Sequence, residues 1–345
     1  MDLNLLSSTE LDTLNRLLKE SERIVLICHS HPDGDSLGSA LAWSNCLKEI
    51  YGKTPGIIAP NAFPDFLQWL PGTERIVKYN KKPAEVEQML RQADLICCMD
   101  FGGYDRTDEM QAVLETATAP IVMFDHHLNP TIQATVTISQ PELSSTCEVL
   151  FRVIWQLGCF EQLGKKFAVP CYTGMMTDTG GFTYNSSRPE IFYIICQLLT
   201  KKLDKDKIYR NVFNNYSPWA IRLRGYIMNQ KLNVLEDKHA TYYSVSREEM
   251  AQYHFVRGDL EGLVNEPLRI KGIRMSISLK EDDRLDNRIW VSLRSVDNYS
   301  VEEVATRFFN GGGHLNASGG RIDGTLEDAE RAARQAIDWF AEKYE

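Results

Sequence analysis

The chain has 345 residues, 43% hydrophobic and 25% charged, with 38 lysines and arginines against 47 acids and a formal net charge of −9. That length suits about two domains, each able to bury a core, and the acidic balance argues against a basic track for long duplex DNA. No apolar run approaches the ~18 residues a spanning helix needs, so no membrane partner is expected.

Residues 9–21 read as a lead-in helix whose acids and broken apolar pattern do not suit a signal peptide. The apolar run Arg23–Cys28 then reads as a strand. It delivers Cys28-His29-Ser30-His31-Pro32-Asp33-Gly34-Asp35-Ser36-Leu37-Gly38, and Leu37, Leu41 and Leu47 carry the chain away as a helix. Gly34 is expected to let the chain turn between the two acids. Asp33 and Asp35, if close, repel each other unless a cation lies between them or one is protonated. Hard oxygen ligands beside an imidazole suit a divalent metal such as manganese.

Gly52 marks the end of that helix, and a short strand follows near Gly56-Ile57-Ile58. Four prolines make residues 55–72 mostly loop. A helix at about 83–92 precedes a second apolar strand, Leu95–Met99, which ends in Asp100. A polar, helix-compatible stretch at 105–116 precedes a third, Ile121–Phe124, which ends in Asp125-His126-His127. Apolar strands alternating with helices imply a parallel sheet covered on both faces, and such sheets gather ligands at the carboxyl ends of their strands. All three strands carry their polar residues at that end.

From Ser145 to Lys231 the pattern is mostly helical, and one helix closes on Thr177-Asp178-Thr179-Gly180-Gly181. The amphipathic stretch Pro218–Leu235 is expected to bridge to a second domain. There 241–245, 273–278 and 289–294 read as strands of a separate sheet. A helix at 301–309 enters Gly311-Gly312-Gly313-His314, and a last helix spans about 326–343.

Singly, these fragments have ordinary explanations: an Asp after a strand often caps a helix, and His31 reads as structural. Together they weigh more, because five of the 7 histidines fall in three short motifs. Asp33-Gly34-Asp35 lacks the loop spacing of a calcium site. The 8 cysteines are scattered with no CxxC; they read as buried hydrophobes in a cytoplasmic protein rather than zinc ligands or disulfides. The glycine triplet would let backbone N–H groups approach a phosphate, with His314 as a further donor. Arg294, at a strand end, suits phosphate recognition better than Arg284 and Arg288, which sit among acids.

His29, Asp33, Asp35, Asp100, Asp125-His126-His127 and Asp178, in that order, resemble the DHH phosphoesterase family. The first motif is similar to that family's H-x-x-x-D-x-D-x-x-G-S from His29 to Ser39, and Gly311–His314 with Asn316–Gly319 to the glycine-rich motif of the DHH-associated C-terminal domain. The resemblance covers about 20–325, and its layout is similar to the oligoribonuclease and pAp phosphatase group (NrnA type). It implies an α/β architecture: a parallel-sheet DHH catalytic domain over 1–216, a linker helix over 217–236, and a smaller α+β substrate-binding domain over 237–345. It further implies two manganese ions. His29, Asp33 and Asp100 would hold one; Asp35, Asp100, His126 and Asp178 would hold the other, with Asp100 bridging. Asp125 would orient an imidazole, His127 would touch the scissile phosphate, and Arg106 matches a family position.

The expected reaction is hydrolysis of a phosphoester in short RNA, a pApA-type dinucleotide or 3′-phosphoadenosine 5′-phosphate, with the C-terminal domain holding the nucleotide end. Rival readings are an exopolyphosphatase, an inorganic pyrophosphatase, whose basic Ser-Arg-Lys-Lys run is missing here, and a non-catalytic nucleotide-binding protein. A homodimer is compatible with the sequence.

Overall fold

Ile24–Cys28, Leu95–Met99 and Ile121–Asp125 are buried at every residue, which suits strands with helices on both faces of their sheet. The computed structural model, which describes residues 2–345, supplies both layers. The chain divides between Asn215 and Tyr216 into two compact units.

The first unit runs α1 (Ser8–Glu20), β1 (Ile24–Cys28), α2 (Gly34–Tyr51), β2 (Gly56–Ala59), β3 (Ile76–Lys78), α3 (Pro83–Gln92), β4 (Leu95–Met99), α4 (Gln111–Glu115), β5 (Ile121–Asp125), β6 (Val136–Ser139), α5 (Thr146–Gln156), α6 (Lys165–Asp178), α7 (Pro189–Thr200) and α8 (Lys205–Phe213). Its strands lie in the order β3-β2-β1-β4-β5-β6, and every pairing is parallel. Side chains alternate between two cores. Leu26 and Cys28 join the cluster built on α1, α2, α5 and α6, whereas Val25 and Ile27 face Val86 and Leu90 of α3 and Leu114 of α4.

From β1 the chain steps outward through β2 and β3, then returns to β4 and steps outward the other way. This reversal between β1 and β4 is where open α/β sheets bind ligands, at the carboxyl ends of the strands. Cys28 pairs with Met99, and Met99 with Phe124. His29, Asp100 and Asp125 therefore leave the sheet side by side.

Two edge strands, β3 and β6, lie in stretches for which no element is expected from the sequence, being too short for their periodicity to register. The helix expected over 105–116 is α-helical only in α4. Tyr104–Met110 forms 3₁₀ turns, broken at Asp108 by a positive φ of 49°.

The second unit comprises α9 (Pro218–Tyr226), β7 (Asn233–Leu235), β8 (Ala240–Val245), α10 (Arg247–Gln252), β9 (Met275–Glu281), β10 (Arg288–Ser295), α11 (Val301–Phe308), β11 (Gly312–Gly313), β12 (Ala317–Asp323) and α12 (Leu326–Lys343). Its sheet order is β11-β12-β10-β9-β8-β7, with β8–β9 parallel and the other pairings antiparallel. Helices α11 and α12 bury one face through Val304 and Phe340 against Ile277 and Leu293.

The linker helix expected over 217–236 takes a different form. Helix α9 passes into a π turn at Ile227–Lys231, and the chain then forms β7. Leu223 and Ile227 bury against Tyr243 and Val245, so the apolar stripe of this stretch covers the second face of the sheet instead of spanning a gap. Among the described residues, no helix is long and apolar enough to cross a membrane. Among the described residues, seven cysteines are buried, Cys196 is exposed, and none is in a disulfide.

Helix α2 is buried from Gly34 through Leu47, which requires close neighbours. A Cβ at Gly38 would lie 2.6 Å from the Pro170 carbonyl oxygen of α6, and one at Gly34 would lie 2.3 Å from Thr177 Oγ1. Gly34 therefore serves close packing: it is the first residue of α2, not the turn expected between two acids. The antiparallel contact lays the start of α2, with Asp35, against the end of α6, with Asp178. Gly38→Ala forces a methyl group against backbone that cannot rotate away, and overpacking of this kind costs about 1–3 kcal/mol. Thermal unfolding of Gly38→Ala is expected to show a midpoint lowered by several degrees; an unchanged midpoint would contradict this close packing.

Candidate metal centre

Each candidate ligand is placed by an element boundary. Asp33 caps α2, its Oδ1 accepting from the N–H groups of Asp35 and Ser36 at 2.9 and 3.0 Å, as a short acid at a helix start does. Asp35 sits in the first turn of α2, fully buried. Asp100 follows β4 in a left-handed conformation, φ +70°, which aspartate tolerates better than most residues; its N–H donates to Phe124 O at 2.8 Å. Asp178 ends α6 and is half-buried.

The two central histidines are oriented alike. His29 Nδ1 lies 2.8 Å from Ser30 O, and His126 Nδ1 lies 3.3 Å from Leu143 O. Bonding one ring nitrogen to a backbone carbonyl fixes the tautomer and turns Nε2 toward the carboxylates as a candidate ligand atom, a common arrangement behind metal sites. His29 Nε2 is 3.4 Å from Asp100 Oδ2 and 3.8 Å from Asp33 Oδ1. His126 Nε2 is 3.1 Å from Asp178 Oδ2, 3.6 Å from Asp100 Oδ1 and 3.9 Å from Asp35 Oδ2. Ligand atoms of His29, Asp33 and Asp100 lie within 4.8 Å of one another, as do those of Asp35, Asp100 and His126. Asp100 belongs to both trios, one oxygen toward each imidazole.

Several carboxylates this close and this buried cannot all stay ionised without compensation. Burial, reinforced by Asp178, pushes the Asp35 carboxyl up to about 7. Burial and the charges of Asp35, Asp33 and Asp178 push Asp100 well above the carboxylate range. Burial opposes the His126 cation, but Asp178, Asp35 and Asp125 outweigh it and raise the group to about 10. Burial lowers His29, with Asp33 opposing and Arg106 assisting, which favours its neutral, ligating form. Protons thus collect at the focus of the cluster, and a divalent cation would supply the same compensation. Mixed imidazole and carboxylate donors are the set such an ion takes, and the residues fit it.

Asp125 has another task. Its Oδ1 accepts from the N–H groups of His126 and His127 at 2.9 and 3.2 Å and lies 2.8 Å from His127 Nδ1. Burial would raise this carboxyl, yet the hydrogen bonds and charge of His127 outweigh it and hold it below its ordinary value. His127 is half-buried beside the cluster. Arg106 is exposed on the 3₁₀ turns, and its carbonyl accepts from Ser30 N–H at 2.6 Å. His31 is exposed, with Nδ1 3.6 Å from Asp108 Oδ2.

The remaining expected residues lie in the second unit. Arg294 is half-buried on β10. Its Nη1 donates to Leu293 O at 2.9 Å, and its Nε is buried with no hydrogen-bond partner among the described residues. The glycine triplet is not a simple loop. A Cβ at Gly311 would stand 1.9 Å from Gly319 O and one at Gly313 2.7 Å from Ala317 O, whereas Gly312 faces open space. Two of the glycines thus serve the packing of β12 itself. His314 N–H donates to Ala317 O at 2.8 Å and continues that hairpin.

The site also uses residues that sequence reasoning passed over. Thr146 N–H and Cys147 N–H donate to Asp35 at 2.6 and 3.0 Å, and Thr146 Oγ1 donates to Asp100 Oδ1 at 2.7 Å. Ser36 Oγ accepts from His29 N–H at 3.2 Å. A signal existed: Ser145 followed by Glu148 before an apolar run is a helix-start pattern, although nothing in it points to a metal.

Comparison with known proteins bears on the same residues. Residues 23–175 match the model of the DHH family, N-terminal domain, and residues 242–343 match the DHHA1 domain. A bifunctional oligoribonuclease and PAP phosphatase NrnA of Thermus thermophilus is 24% identical over 320 residues, 91% of this chain and 89% of that protein. The Bacillus subtilis protein of the same name is 22% identical over 335 residues, 93% of this chain and 98% of that one. The crystal structure of an exopolyphosphatase-related protein from Bacteroides fragilis is 42% identical with a TM-score of 0.91, covering 97% of both chains.

The raised Asp35 carboxyl has a consequence for stability. Between its ordinary 3.8 and about 7 the folded, metal-free protein holds a proton that the unfolded chain has released. This contribution is fully present below the ordinary value and is lost as pH rises through about 7. In a chelator, calorimetry should therefore show the wild type losing stability relative to Asp35→Asn as pH rises from about 4 to about 7. Parallel pH profiles for the two proteins would contradict the crowded-carboxylate reading.

Proposed function

The chain belongs to the DHH family, and on that premise we propose that it is a two-manganese phosphoesterase acting on short oligoribonucleotides, pApA-type dinucleotides or 3′-phosphoadenosine 5′-phosphate. The observation that carries this reading is Asp100: a buried carboxylate shared between two imidazole–carboxylate trios. His29, Asp33 and Asp100 would hold one ion, and Asp35, Asp100, His126 and Asp178 the other. When bound, such ions neutralise phosphate charge and make water acidic enough to attack at neutral pH.

The rest is done by the chain's own groups. Asp125 keeps the proton of His127 on Nδ1, so Nε2 is the nitrogen that would contact the phosphate. Arg106, whose charge is felt at His29, adds positive potential at the mouth of the site. In the second unit, the half-buried guanidinium of Arg294 suits an anionic substrate group. Gly312 would let a ligand reach the backbone, and His314 would add a donor beside it. The domain roles, a catalytic first unit and a substrate-binding second unit, belong to this proposal. The relatives named for oligoribonuclease and PAP phosphatase activity match this chain over nine-tenths of its length, which favours the nucleotide substrates.

A second reading, hydrolysis of polyphosphate, rests on the exopolyphosphatase-related protein at 42% identity. It keeps the same metal ligands and changes only what the second unit grips. Manganese-dependent product release from pAp, pApA, short RNAs, pyrophosphate and polyphosphate separates the two. Release of nucleotides is expected, with Asp100→Asn slower by at least about 10³-fold, equivalent to roughly 4 kcal/mol. Release from polyphosphate alone would favour the second reading, and undiminished turnover in Asp100→Asn would overturn the metal mechanism in both.

A further inference from the structure

Asp100 has little of its own to fix its carboxylate. Its backbone is pinned in the left-handed region, but rotation about the bond to a carboxylate is soft, and both oxygens must keep their assignments if each trio is to have one. Among the described residues, the short hydrogen bond that holds this group comes from Thr146, fully buried, with Oγ1 2.7 Å from Oδ1. The same residue's N–H, with that of Cys147, holds Asp35. Thr146 thus touches the ligand shared by both trios and a ligand of the second.

Thr146 is itself held from behind. Glu148, also fully buried, accepts from Ser144 N–H and Oγ at 2.8 and 2.7 Å. Its carboxylate is saturated by Arg152, through Nε and Nη2 at 3.1 and 2.7 Å, and by Arg188 Nη2 at 2.8 Å. Ser145 caps α5 by accepting from Glu148 N–H at 3.0 Å. The turn 144–146 is therefore clamped between a buried ion cluster on one side and two metal-ligand carboxylates on the other. An ion cluster is a costly way to stabilise a helix start, and apolar side chains often do as well. What it adds is a turn with one geometry.

We propose that Thr146 is a positioning residue for Asp100, that Glu148 with Arg152 and Arg188 holds it in register, and that together they set the metal affinity of this site. The inference rests on the metal reading above but not on the identity of the substrate. Hydrogen-bonded partners of ligands typically change metal affinity by about 10–100-fold when removed.

The test is manganese affinity, read by electron paramagnetic resonance of the free ion in titrations of the intact chain. Thermal unfolding in a chelator runs alongside, to show that each variant is folded. Thr146→Ser keeps the hydroxyl and is expected to bind as the wild type does. Thr146→Val keeps the shape without the hydroxyl and is expected to bind about 10–100-fold more weakly. Glu148→Gln is expected to weaken binding similarly, and the double variant Thr146→Val/Glu148→Gln to be no weaker than the poorer single one. Wild-type affinity in Thr146→Val overturns the proposal while leaving the metal site standing. Fully additive losses in the double variant overturn the role given to Glu148. A wild-type chain that binds no manganese overturns both this inference and the reading beneath it.

Discussion

The first unit is built around an electrostatic problem. Asp35, Asp100 and Asp125 are buried together with His29 and His126, and so dense a set of like charges is stable only if positive charge comes with it. Burial and mutual repulsion raise Asp35 and Asp100, and the surrounding acids raise His126, so each of the three favours its protonated form. Asp125 escapes because His127 supplies its partner. A cluster in which protons and divalent ions compete for one focus couples metal binding to pH and to folding.

The fold creates this crowding by three separate devices. Reversal of strand order between β1 and β4 brings His29 and Asp100 to adjacent strand ends, with Asp125 on the next strand. The near-backbone contact of α2 with α6 sets Asp35 against the end that carries Asp178. The start of α5 then supplies the N–H groups and hydroxyl that hold Asp35 and Asp100. Strand pairing, glycine packing and helix capping thus meet at one point, and damage to any of them is felt at the carboxylate–imidazole cluster.

Much of this was legible in the sequence because its signals are local. The runs ending in Cys28, Met99 and Phe124 are uninterrupted apolar strands, and their polar ends mark one edge of a parallel sheet. Histidine clustering and the order of the acids led to the DHH family, to which the chain belongs. What escaped depends on distant partners. Strands β3 and β6 are short edges, and β12 contains Gly319 and Gly320, which ordinarily weaken a strand. The stretch after Ser217 looked like a spacer because its cover, Tyr243 and Val245, lies elsewhere in the chain. Gly34 looked like a turn residue because Thr177, which needs its space, comes much later. Thr146 and Glu148 looked like an ordinary helix start for the same reason.

The most direct measurement is the manganese stoichiometry of the purified chain at neutral pH, determined by titration with simultaneous readout of proton release. The expected result is about two equivalents per chain, with protons displaced on binding and both equivalents weakened by Asp100→Asn. Binding of a single ion indifferent to Asp100, or no binding, would contradict the shared carboxylate on which the proposed function rests.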